Sequence, residues 1–104
     1  MVTKVIRDGK VAVLYSPGFG AGWYTWNHRC PECLYDADMV AWVEGDKTGP
    51  MPDLEAKYGW EYFYDGGGND LEIRWVPVGT QFRIHEYDGF ERVIFISEEE
   101  WFTA

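Results

Sequence analysis

Leu71-Glu-Ile-Arg-Trp-Val-Pro-Val-Gly-Thr-Gln-Phe-Arg-Ile-His-Glu-Tyr-Asp-Gly-Phe-Glu-Arg-Val-Ile-Phe-Ile-Ser97 is the stretch that decides the fold class. Leu71, Ile73 and Trp75 alternate with Glu72 and Arg74, the period of two expected of a strand with one covered face. Pro77-Val78-Gly79-Thr80 then supplies turn chemistry, after which Phe82 and Ile84 alternate with Gln81, Arg83 and His85. Asp88-Gly89 suits a two-residue type I′ turn, and it separates Gln81 to Tyr87 from Phe90 to Ser97, both rich in β-branched and aromatic residues. Three consecutive strands joined in this way predict a meander with one apolar and one charged face.

The same grammar appears near the N-terminus, where Val5-Ile6 and Val11-Ala-Val-Leu-Tyr15 flank Asp8-Gly9 and predict a hairpin. Between hairpin and meander the signals become helical. Asp36 to Gly45 places Met39, Val40 and Val43 at helical spacing, with Asp36 or Asp38 as N-cap and Gly45 as the stop. Pro50 to Tyr58 repeats this, with Pro52 and Asp53 opening the helix and Gly59 closing it. Trp60 to Tyr64 reads as a further strand, Asp65 to Asp70 as a loop, and Ser97-Glu98-Glu99-Glu100 as a capping box with room for one turn. The expectation is an α+β fold. Its largely antiparallel sheet would have four to five strands, the N-terminal hairpin plus the C-terminal meander, with two short helices inserted between to cover the apolar face. Residues 1–104 read as a single globular domain, without repeats or low-complexity tracts.

At 104 residues such a domain buries roughly 65% of the surface its unfolded chain exposes, enough for one core. Aromatic residues make up 18% of the chain, far more than a disordered chain carries. Nine Lys and Arg stand against eighteen Asp and Glu, a net charge of −9 that argues against binding nucleic acid, nucleotides or an anionic membrane directly. The charge is uneven. Residues 1 to 35 hold four cations and two anions, a balance of +2, whereas the remaining 69 hold five cations and sixteen carboxylates, a balance of −11. That face either keeps an aromatic-rich domain soluble or docks on a basic surface. With no run of 18 apolar residues and no apolar core in Met1 to Gly9, neither a membrane span nor a signal peptide is expected, and the cytoplasm is the expected compartment.

Ser16-Pro-Gly-Phe-Gly-Ala-Gly-Trp23 is the most unusual segment, with Gly18, Gly20 and Gly22 at alternate positions. Such a run lets backbone approach a ligand closely, as phosphate loops do, yet no Gly-Lys-Ser/Thr follows. Two other readings stay open: a tight loop that tucks Phe19, Trp23, Tyr24 and Trp26 onto the sheet, or an aromatic contact surface. Cys30-Pro31-Glu32-Cys33 admits three readings. It is the spacing of a zinc knuckle, with His28 as a third ligand and His85 or Asp36 as a fourth. It is also a thiol-redox spacing, though a dozen residues separate it from the preceding strand, and the third reading is two ordinary small residues beside a short helix. Catalytic sets are thin. Ser16 and Ser97 with His28 and His85 make no convincing triad, Glu72 with Glu86 is a carboxylate pair in a chain full of them, and Asp65 to Asp70 misses the calcium-loop spacing.

The strings Val5 to Leu14, Ser16 to Trp23 with Thr25-Trp26-Asn27, Asp70 to Thr80 and Phe82 to Gly89 cover most of the chain and resemble a family of small, uncharacterised phage, prophage and bacterial proteins. Cys30-Pro31-Glu32-Cys33 departs from the run usual there, which weakens the zinc and redox readings. The resemblance implies no activity but does imply a context, since small acidic phage proteins often block a host enzyme or defence complex. The expectation is therefore a non-enzymatic, phage-encoded inhibitor of the anti-CRISPR or anti-restriction type, acting on a host protein in the host cytoplasm. Its contact residues would be Phe19, Trp23, Tyr24, Trp26, Glu98, Glu99 and Glu100, with no cofactor and with a homodimer as an open option. The competing reading is a ligand-sequestering pocket lined by Trp23, Trp26, Trp60 and Trp75, and a third is zinc or redox chemistry at Cys30 and Cys33.

Overall fold

Val11-Ala-Val-Leu14 lies in the strand around which the rest of the chain packs. The structure is a computed structural model and describes residues 3–20, 22–96 and 103–104. Strand β1 (Ile6–Arg7) turns through Asp8 and Gly9, both at positive φ (51° and 74°), into β2 (Lys10–Tyr15), pairing Ile6 with Val11 and Arg7 with Lys10. The other edge of β2 is taken by β3 (Glu72–Pro77), antiparallel, from Lys10 opposite Pro77 to Tyr15 opposite Glu72. Strands β4 (Phe82–Tyr87) and β5 (Phe90–Phe95) form a second, two-stranded sheet, joined at Asp88 and Gly89 with φ of 50° and 81°.

The α+β class and both Asp-Gly hairpins are as expected, but the single sheet is not. The meander breaks between β3 and β4, because β3 pairs with β2 and, among the described residues, β4 pairs only with β5. The cause lies in β2, whose residues Ala12, Val13 and Leu14 are all removed from solvent. Ala12 and Leu14 face a layer of helices and connecting segments that contributes Trp23, Met39, Val40, Leu54, Phe63 and Leu71. Val13 faces the opposite way and packs with Val76, Val93 and Leu34, flanked by Phe82, Ile84 and Phe95. A strand that is apolar on both faces requires cover on both. Folding the β4–β5 hairpin over the second face supplies it, whereas extending the sheet edge would leave Val11 and Val13 in water, at about 1.5–3 kcal/mol for each large side chain. Arg74, expected on a solvated charged face, lies under the hairpin instead. Its Nη1 donates to the Val93 carbonyl at 2.7 Å and its guanidinium sits 4.0 Å from the Phe95 ring centroid.

Helix α1 (Ala37–Glu44) is capped by Asp36, whose carboxylate accepts from Met39 N–H at 2.9 Å, and it stops at Gly45. Helix α2 (Leu54–Tyr58) is capped by Asp53, which accepts from Ala56 N–H at 3.1 Å, and it closes at Gly59 in the left-handed region. Trp60 to Tyr64 is not a strand: Tyr62 takes φ 63°, which breaks an extended run, while Trp60 stacks on Tyr58 and tilts against Phe63. The capping box at Ser97 to Glu100 lies outside the described residues, and with it the expected contacts Glu98, Glu99 and Glu100. Among the described residues no helix is long and apolar enough to cross a membrane.

Candidate functional site

The glycine-aromatic loop leaves β2 at Ser16 and immediately meets the β4–β5 hairpin. Glu91 N–H donates to the Ser16 carbonyl and Gly20 N–H donates to the Asp88 carbonyl, both at 2.7 Å. Glu91 is fully buried and organises the loop through its side chain. Its Oε1 accepts from Ser16 N–H, and its Oε2 accepts from Trp23 N–H, Thr25 N–H and the Thr25 hydroxyl, at 2.6 to 2.9 Å. Backbone donors that could cradle a phosphate are therefore directed at an internal carboxylate, which fills the role of the anion. Of the three alternate glycines, Gly20 has positive φ, 87°. Gly18 and Gly22 are required for space, since a Cβ would collide with the Asp70 carboxylate at the first and with Thr25 and the Trp26 ring at the second.

This grip divides the predicted contact residues. Trp23, expected at the partner surface, is 0% exposed: its indole N–H donates to the Cys33 carbonyl at 2.8 Å and its ring meets Phe63 edge-on. It is a core residue, and the expectation of a direct contact there is corrected. Tyr24 is half-buried beside Leu34 and Tyr35. Phe19 and Trp26 remain 74% and 45% exposed. Each rests on another ring, Phe19 on Phe90 and Trp26 on Tyr64, with centroids 5.0 Å apart in both pairs. Asn27 fixes the Tyr64 backbone from below the loop, donating to its carbonyl and accepting from its N–H at 2.7 Å. Between Phe19 and Trp26 lies a recess of about 410 Å³ lined also by Gly20, Glu86, Asp88 and Gly89. Tyr87, 70% exposed, pairs across the hairpin with Phe90 and extends the aromatic surface.

Glu86, Asp88, Tyr64 and Tyr87 were not among the sequence-derived site residues. Asp88 carried a signal only as a turn residue, and nothing local says that the turn touches a loop some seventy positions earlier. Of the four tryptophans expected to line one pocket, Trp23, Trp60 and Trp75 belong to one core cluster, and Trp26 is not among its described members. Trp23 and Trp60 both pack on Phe63, Trp26 lines the recess just described, and Trp75 lines another with Arg7, Asp8 and Lys10. Glu72 lies opposite Tyr15 and Glu86 opposite Glu91, so those two carboxylates are on different sheets.

Cys30 is half-buried, Cys33 is buried and both are free. Burial raises the Cys30 thiol, with the nearby Glu32 charge adding to it. Cys33 is pushed far up, by burial first and then by Glu91, Cys30 and Glu32. An activated redox thiol is held low, so this environment is the reverse of the one that reading requires. His28 is exposed, and among the described residues no three of His, Cys, Asp and Glu are grouped to hold a metal ion. A buried polar centre exists elsewhere, at the Asp36 cap, which accepts from Lys57 Nζ and the Tyr58 hydroxyl at 2.5 Å each. It joins α1 to α2.

No protein-family model matches the chain, and neither a curated protein nor a solved structure matches it.

Proposed function

We propose that this is a small acidic, non-enzymatic binding protein that engages a basic protein surface through the end of the molecule carrying Phe19 and Trp26. The observation that carries the proposal is the pair of exposed rings, each resting on a second ring, with Glu86 and Asp88 lining the recess between them. Large aromatic side chains left in water on an ordered surface are the usual anchors of protein interfaces. The net charge of −9 supports a basic partner and opposes nucleic acid as the direct ligand. In the phage context implied by the sequence resemblance, the partner is a host enzyme or defence complex and the outcome of binding is inhibition, of the anti-CRISPR or anti-restriction kind.

Affinity capture from host lysate, repeated with the purified partner, tests this reading. Binding should weaken as salt rises and should fall by about tenfold or more in the Phe19→Ala/Trp26→Ala variant, the loss typical of truncated interface anchors. Salt-insensitive binding indifferent to that double change would refute it.

A second reading has its own observation. A groove of about 680 Å³ is lined by Tyr24, Leu34, Tyr35, Phe82 and Ile84 together with the polar Thr80, Gln81 and Arg83, with Lys4 over the Tyr35 ring at 4.6 Å, and its size is that of a small-ligand site. Native mass spectrometry of protein purified from its host separates the two, because a retained small molecule favours the groove and a retained polypeptide favours the aromatic end.

A further inference from the structure

The recess between Phe19 and Trp26 has a composition that selects its occupant. Among the described residues it is lined by two aromatic residues, two acidic residues and two glycines, and by no cationic one. Ion pairs among the described residues are Arg7 with Glu44 and Lys57 with Asp36 and Asp38, so Glu86 and Asp88 belong to none. Glu86 uses Oε1 on the Gly89 N–H at 2.7 Å, which anchors its carboxylate to the hairpin turn without neutralising it. A neutral apolar occupant would desolvate two carboxylates without a partner, and an anion would be repelled. A cation satisfies both carboxylates and both ring faces.

We infer that this recess seats one arginine side chain of the protein partner, its guanidinium stacked on the Phe19 or Trp26 ring and paired with Glu86 and Asp88. The inference rests on the reading of this face as the binding surface and deepens it. Arginine is favoured over lysine because a planar, weakly hydrated guanidinium can stack on a ring and fork to a carboxylate at once, whereas an ammonium is a compact, strongly hydrated point charge. The seat is already assembled. Phe19 is supported by Phe90 and Trp26 by Tyr64, the Gly20 N–H ties the loop to the Asp88 carbonyl, and Glu91 grips the loop between the two rings.

The test is an NMR titration of the whole protein with N-acetyl-arginine methylamide, with the lysine and glutamate analogues run alongside. Arginine should shift the Trp26 indole N–H and the Gly20 and Gly89 amides, lysine should do so several-fold more weakly, and glutamate should leave them in place. In the Glu86→Gln/Asp88→Asn variant the arginine response should drop by about tenfold or more. That variant keeps the hairpin, since Gln still accepts from Gly89 N–H and Asn is well suited to the positive φ of a type I′ turn. Absence of the shifts, equal shifts with lysine, or an undiminished response in the variant would each overturn the proposal. Binding of the captured partner separates this inference from the reading beneath it. Loss with Phe19→Ala/Trp26→Ala but full retention with Glu86→Gln/Asp88→Asn would overturn the arginine seat and leave the aromatic face standing, while retention in both variants would overturn the face itself.

Discussion

Glu91 Oε2 accepts the Thr25 backbone N–H at 2.9 Å and the Thr25 hydroxyl at 2.6 Å, tying the second residue of β5 to a loop 66 positions earlier in the chain. With Ser16 N–H and Trp23 N–H on the same carboxylate, one buried anion satisfies donors that would otherwise be orphaned by a loop without regular structure. The exposed rings of Phe19 and Trp26 owe their placement to it.

Replacing Glu91 with Gln leaves an acceptor at one position only and turns an NH2 toward donors at the other. The expected loss is about 3 kcal/mol, the scale for a buried charge-assisted network left half satisfied. Urea unfolding should show a lower midpoint with an unchanged slope, and a midpoint within error of the parent would show that Glu91 does not hold the loop.

Trp23→Ala and Phe19→Ala should differ sharply in cost although the two residues are only four apart. Trp23 is enclosed and loses about 3–5 kcal/mol on truncation, whereas Phe19 keeps one ring contact and loses about 1 kcal/mol or less. Thermal denaturation of the two variants checks the contrast, and comparable losses would mean that Trp23 is not enclosed.

Stability should depend on pH through the cap of α1. Burial alone pushes the Asp36 carboxyl up, but hydrogen bonds from Lys57, Tyr58 and Met39 N–H, with the Lys57 charge, outweigh it and hold the group below its ordinary 3.8. The unfolded chain therefore takes up this proton first on acidification. The stabilisation is present above about pH 3.8 and is lost as pH falls through the lower folded value, so the gap between parent and Asp36→Asn should be constant near neutrality and narrow in acid. Tyr58 acts at the other limb. Burial and the Asp36 carboxylate push its hydroxyl up to about 12, so the folded state retains a proton that the unfolded chain releases above 10. Stability should fall between those values, and Tyr58→Phe should remove that part of the fall. Urea midpoints across pH that run parallel for parent and variants would disprove both statements.

The two cysteines should differ in reactivity. A thiol reagent should modify Cys30 in the native protein, slowly because its thiol is raised, and should reach Cys33 only at the rate of unfolding. Rates measured against denaturant concentration check this. Equal native rates for both thiols would mean that the segment around Cys33 opens without global unfolding.

Local structure was largely written in local chemistry. Asp8-Gly9 and Asp88-Gly89 specify their turns because few other residue pairs accept two successive positive φ values, and Asp36 and Asp53 specify helix starts because a short carboxylate reaches the third N–H onward. These are interactions within four residues, so they read directly from the chain. Trp60 to Tyr64 escaped the same reading: aromatic residues favour strands in general, but here Trp60 and Phe63 are drawn into the core beside Trp23 and the backbone turns to deliver them.

What the sequence determined by itself, then, is the five strands and two α-helices with their caps and Asp-Gly turns, the acidic balance, and the presence of more large rings than a small core can hide. Tertiary structure alone decided that β3 joins β2 while β4–β5 folds across the second face, because the two-sided burial of Val11 to Leu14 becomes a constraint only when candidate covers compete for it. It alone decided which of Phe19, Trp23, Tyr24 and Trp26 face water. That outcome depends on a single buried glutamate whose sequence neighbourhood is indistinguishable from that of the solvated carboxylates around it, since burial and hydrogen-bond partners are properties of what folds onto a residue and not of the residue itself.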